Sequence, residues 1–206
     1  MLIFYFEKHI LFIIFVNCIF WQRFCILKPN LKLVFKYSLF FVLAFASLSF
    51  QQQQSFDPNN KLKAIFIYNF TRYFEWPEKM KTGNFVIHII GTNHGIYQEL
   101  NKMAESKAVG NQKLEIRSGT SVDPSIKPHI IFLLTDASDM LKNVASQYKG
   151  KGTLVITEKP GLAKTGSSIN FVIADSKQKF EYNKKNAEKC GLKTNEELKS
   201  LAIVVD

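Results

Sequence analysis

From residue 61 onward the apolar positions alternate between two periods, and each change of period marks a new element. Residues 61–75 place Leu62, Ile65, Phe66, Asn69, Phe70 and Tyr73 at helical spacing, with Ile67, Tyr68 and Phe74 widening the stripe. Asn59 or Asn60 supplies an N-cap. Trp76-Pro77 ends the helix, because the residue before a proline is pushed out of the α region. A helix apolar around most of its girth is expected to be heavily buried. Residues 84–91 then read as a buried strand (Phe85-Val86-Ile87-His88-Ile89-Ile90) closed by Gly91, and 95–105 as a modest helix. Residues 112–117 alternate like an outer strand. Pro124 and Pro128 punctuate the passage into a second buried strand at 129–135, and Ser138 is placed to cap a helix reaching Tyr148. A third buried strand follows at 152–157. Gly161 and Gly166 bracket a short turn before 168–174, which Asp175-Ser176-Lys177 folds back onto 178–182 as a hairpin. Asn183 caps a helix over 183–189 that stops at Gly191, a C′ glycine. Thr194 with Glu197 forms a capping box for a last helix to about residue 202.

Continuous apolar strands alternating with helices imply one α/β domain at 61–206: a mainly parallel sheet, an antiparallel edge hairpin, and helices on both faces. Residues 51–60, polar and containing Pro58, read as a linker. Residues 1–50 are of another kind, almost solid Phe, Ile, Leu and Val. Two apolar runs, 10–21 and 37–50, fall short of the roughly 20 residues a membrane-spanning helix needs. The second has the grammar of a secretory signal. Lys32 and Lys36 precede an apolar stretch, and Ala44, Ala46, Ser47 and Ser49 offer a cleavage site. Export from the cytoplasm is therefore expected, with two forms open. Translation starts near Leu31, or both runs lie in the membrane as an uncleaved tether.

Removing the leader changes the charge and the cysteine count. It takes five basic residues and one acidic residue, leaving 22 Lys and Arg against 16 Asp and Glu. That excess is mild and dispersed, which with export argues against nucleic acid; the basic run from Lys177 to Lys189 reads as a solvated face. Cys190 remains alone, so neither an intramolecular disulfide nor a clustered zinc site is expected. It reads as a small buried residue at a helix end.

Chemistry is sparse. The loop Gly91-Thr92-Asn93-His94-Gly95 follows a buried strand and opens a helix, where open α/β sheets bind ligands. If the strands are parallel neighbours, Asp136 and Glu158 end up beside it, so Asn93, His94, Asp136 and Glu158 form the candidate ligand loop. A tight turn with polar caps is the plainer reading, since a Gly-x-x-x-Gly without the Lys-Ser/Thr of a P-loop is weak. No nucleophile elbow, base pair or metal cluster emerges, so no catalytic residue, cofactor or metal is expected. His88 and His129 read as strand histidines, Glu75 as a solvated helix-end charge.

The run Leu62-Lys-Ala-Ile-Phe-Ile-Tyr-Asn-Phe-Thr-Arg-Tyr-Phe-Glu-Trp-Pro77 resembles the opening motif of the YfiR-like family of exported proteins. The strand before Gly91 and the strand at 129–134 follow at similar distances. The block Phe180-Glu-Tyr-Asn-Lys-Lys-Asn-Ala-Glu-Lys-Cys-Gly-Leu192 resembles the family's ending, with Leu198 to Ala202 matching its last helix. The resemblance singles out Asn69, Phe70, Trp76, Pro77, Gly91, Phe180, Asn183, Gly191 and Leu192, all readable as scaffold. It implies a periplasmic regulator that acts by binding the periplasmic domain of an inner-membrane signalling protein, a diguanylate cyclase or a sensor kinase, with homodimerisation also open. Lys184 and Lys185 are the candidate partner surface. A small-ligand module using the crevice at 91–95 is the alternative, and a hydrolase is a distant third.

Overall fold

The computed structural model describes residues 58–206. The leader expected at 1–50, and all but the end of the linker, lie outside the described residues. The chain enters with helix α1 (Pro58–Tyr73), so the last residues assigned to the linker are already helical. A two-residue strand β1 (Phe74–Glu75), the Trp76-Pro77 break and a 3₁₀ turn (Glu78–Met80) lead into β2 (Phe85–Ile90). Then come α2 (His94–Ala104), β3 (Ala108–Val109), β4 (Gln112–Gly119), β5 (Ile130–Leu133), a 3₁₀ segment (Thr135–Met140) and α3 (Leu141–Gln147). The remainder is β6 (Leu154–Thr157), α4 (Leu162–Thr165), β7 (Ile169–Ala174), β8 (Lys177–Tyr182), α5 (Lys184–Lys189), β9 (Lys193–Thr194), α6 (Glu196–Leu201) and β10 (Ile203–Val204).

As expected, the fold is mixed α/β. The main sheet has eight strands in the order β10-β8-β7-β6-β5-β2-β4-β3, and β1 with β9 makes a separate antiparallel pair. Within the main sheet β2, β4, β5, β6 and β7 are parallel, β8 returns antiparallel to β7 as the expected hairpin, and β3 runs antiparallel to β4. Numbered by their own sequence, the five parallel strands stand in the order 2-1-3-4-5. That is a doubly wound arrangement whose order reverses between β2 and β5.

Register explains the packing. Phe85, Ile87 and Ile89 share a face with Ile130, Phe132, Leu154, Ile156, Ile169 and Phe171. On that face Phe66 and Phe70 of α1 pack at ring-centroid distances of 5.0–6.2 Å against Phe171 and Phe180. Burying each such side chain contributes about 1.5–3 kcal/mol. Trp76 is buried edge-on against Phe85 at 5.1 Å, its indole N–H donating to the Thr71 carbonyl.

Several expectations need correction. α1 ends at Tyr73, because Phe74 and Glu75 are drawn into the pair with β9. Nor is α1 buried all round, since Leu62 and Ile65 are 38% and 40% exposed. Asn69, which the helical stripe and the resemblance both single out as scaffold, is only half-buried and makes no side-chain hydrogen bond among the described residues. Ser138 does not cap a helix; its hydroxyl donates to the Thr135 carbonyl inside the 3₁₀ segment. The last helix is capped by Asn195, which accepts from the Leu198 N–H, while Thr194 is held in β9 by Tyr182.

Candidate functional site

The carboxyl ends of β2 and β5 flank the point where strand order reverses, and the predicted loop 91–95 lies there. Gly91 is required: φ is +132°, and a Cβ would stand 2.5 Å from Asp136 Oδ1 and 2.7 Å from Leu134 Cβ. Asp136 does lie beside the loop. Its Oδ2 accepts from both the Thr92 N–H (2.9 Å) and the Thr92 hydroxyl (2.8 Å). Glu158, at the end of β6, closes the next gap in the same way. One carboxylate oxygen accepts from the Thr135 N–H and hydroxyl, and the other meets Lys63 of α1 at 2.8 Å. Asn93 caps α2 by accepting from the Gly95 N–H.

The first turn of α1 comes down onto this loop. Asn60 is buried, accepts from the Asn93 side chain at 3.3 Å, and lies so near Gly95 that a Cβ there would sit 2.5 Å from its amide nitrogen. Asn93, Asp136 and Glu158 are thus brought together but spend their hydrogen bonds on turns and on α1. His94, at the first position of α2, is exposed and has no hydrogen-bond partner among the described residues. Nothing here forms a nucleophile–base pair. Among the described residues no group of three His, Cys, Asp or Glu could hold a metal ion.

The motif residues sit mostly inside. Phe70 and Phe180 are buried in the aromatic cluster, and Leu192 is buried after α5. Pro77 opens the 3₁₀ turn, its carbonyl accepting from the Met80 N–H at 2.8 Å. Asn183 caps α5 through the Asn186 N–H at 3.0 Å. Gly191 follows that helix at C′, its N–H reaching the Glu188 carbonyl. Lys184 and Lys185 are exposed, near Glu188 (3.6 Å) and Asp206 (3.9 Å). Cys190 is buried, and that burial pushes its thiol up.

The opposite end of the sheet holds what the sequence did not reveal. Around the amino ends of β2, β5 and β6 two adjoining clefts of about 330 and 340 Å³ share Lys79, Met80, Ile126 and Lys127. Arg117 lines the first and Lys151 the second. The wall is fixed from behind: the Met80 carbonyl accepts from His129 Nε2 at 2.6 Å and from the Gln112 amide at 3.0 Å. His129 Nδ1 accepts from the Val86 N–H at 3.1 Å, so both ring nitrogens are engaged in the neutral form, and burial lowers the pKa. Single lysines in two loops about 50 residues apart carry no signal until the topology brings the loops together.

No helix among the described residues is long and apolar enough to cross a membrane. No curated protein matches the chain. A family model, DUF4154, described as YfiR/HmsC-like, matches residues 60–203, which begin at the buried Asn60 of α1 and end in the edge strand β10. The match runs through every element that builds the sheet and through both motif blocks, and the chain belongs to the YfiR/HmsC-like family.

Proposed function

We propose that this protein is an exported regulator that controls an inner-membrane signalling protein, a diguanylate cyclase or sensor kinase, by binding its periplasmic domain. The family match carries the proposal, because the YfiR/HmsC-like family consists of periplasmic regulators of diguanylate cyclases and is regulatory rather than catalytic. The structure supports it through exposed apolar side chains. Leu62 and Ile65 stand on the outer side of α1, and Leu201, Ile203 and Val204 lie exposed near the chain end, where Lys185 approaches Asp206. A binding protein needs such surface.

The test pairs thermal unfolding with affinity for the periplasmic domain of a membrane signalling protein encoded nearby, on the same variants. Leu62→Asp with Ile65→Asp is expected to weaken binding at least tenfold with an unchanged unfolding temperature. Charge reversal at Lys184 and Lys185 should slow association, as removal of a steering charge does. Trp76→Ala should lose about 3–5 kcal/mol of stability, the usual cost of emptying a core aromatic site. If Trp76→Ala remains fully stable yet does not bind, the motif itself is the interface.

A further inference from the structure

The basic clefts at the amino end of the sheet lie away from the switch point. Four cations from four separate segments line them: Lys79 from the 3₁₀ turn, Arg117 from β4, Lys127 from the loop before β5, and Lys151 from the loop before β6. Among the described residues no carboxylate lines either cleft. The acidic groups nearby are already engaged. Glu115 accepts from Asn84 at 2.7 Å and from Arg117 at 2.6 Å, and Asp123 accepts from the Ser125 N–H and hydroxyl. Lys79 and Lys127 form no ion pair among the described residues, although they border the same two cavities.

Like charges gathered in a concavity repel unless an anion joins them. Two of the four are also held in place. Arg117 keeps further N–H groups free while Glu115 fixes its Nε, and the Lys151 ammonium sits 5.4 Å over the Tyr148 ring. The floor is apolar, with Met80 and Tyr148 buried and Ile126 half-buried. The wall at Met80 is locked by His129 and Gln112, so little ordering is left for a ligand to impose. Each volume lies at the small end of the range for ligand sites, about 300–1,000 Å³.

We infer that this cleft binds a small amphipathic anion, with a phosphate or carboxylate head between Lys79, Lys127 and Arg117 and an apolar body against Met80, Ile126 and Tyr148. Such a ligand is distinct from one in the crevice at 91–95, and the inference stands independently of the partner proposed above.

The experiment titrates the purified protein with phenyl phosphate, and separately with inorganic phosphate, following amide chemical shifts and heat. Saturable binding is expected for phenyl phosphate, tighter than for inorganic phosphate, with shifts confined to residues 79–86, 117–129 and 147–153. Lys79→Gln with Lys127→Gln should weaken it at least tenfold, whereas Lys184→Gln with Lys185→Gln should leave it unchanged. Equal loss in both double variants would reduce the effect to general surface charge and overturn the assignment. So would absence of saturable binding, shifts centred on 91–95, or a preference for an acidic peptide over phenyl phosphate.

Discussion

His129 shows how one side chain fixes a loop that has no regular structure to hold it. Its ring accepts from the backbone of β2 and donates to the carbonyl of Met80, and it stacks on Phe85 with centroids 4.2 Å apart. Protonating Nδ1 would remove its acceptor role and bury a charge. His88 lies in β2, buried, with its Nδ1 lacking a hydrogen-bond partner among the described residues. Burial lowers its pKa, partly offset by Asp123 and reinforced by Arg117. Both groups therefore resist a proton in the folded state that the unfolded chain accepts near its ordinary value of about 6.5. Below that pH the unfolded state binds more protons, so stability is fully present above it and falls as the solution is acidified. Thermal unfolding followed between pH 7.5 and pH 5 should show the decline. His88→Leu should flatten it without loss of stability at pH 7.5, because the variant removes a buried polar atom with no partner. A steeper decline, or marked destabilisation at pH 7.5, would show that His88 has a partner in solution.

At the scale of elements, α5 is the best case of local chemistry setting structure. Asn183 accepts from the Asn186 N–H at the start, and at the end Gly191 and Leu192 return their N–H groups to the carbonyls of Glu188 and Ala187. Both ends follow from residues within nine positions of one another, so this helix was legible in the sequence. Asn183→Ala should cost about 1 kcal/mol, as loss of an N-cap does, measured by chemical denaturation. No change would mean that the Asn186 side chain, which donates to the carbonyls of Ala163 and Ser167, anchors the helix alone. The five-strand parallel core and the β7–β8 hairpin were legible too, from short apolar runs in β2, β5, β6 and β7, the alternation in β4, and the turn residues before β8. The strands β1, β3, β9 and β10 were not. Each is two residues long, too short to show a period; β1, β9 and β10 exist because a partner far along the chain supplies the other half of the ladder, and β3 because the chain turns back at Gly110 onto the start of β4. The exposed side of α1 was hidden too, since apolar residues around a whole helix do not tell which of them the sheet covers. At the candidate site, the strand pattern put Asp136 and Glu158 at neighbouring strand ends, and Asp136 meets Thr92 of the loop at 91–95. That pattern could not reveal that Thr92, Thr135 and Lys63 use up those carboxylates.

The molecule as a whole places its two ends in different roles. At the carboxyl ends of the strands, where folds of this order commonly hold ligands, the first turn of α1 meets the loop and the strand ends through Asn60 and Lys63, while Thr92, Asn93, His94 and Asp136 stay exposed. At the amino ends a preorganised basic cleft stays open, and apolar side chains remain outward on α1, α6 and β10. The most direct test reconstitutes the nearby membrane signalling protein in vesicles with its extracytoplasmic domain accessible. Its catalytic output is then measured as this protein is titrated in. The account predicts a saturable change in output, with a midpoint that shifts to at least tenfold higher concentration for Leu62→Asp with Ile65→Asp. Output that stays constant to saturating protein, with no association detected in the same vesicles, would contradict it.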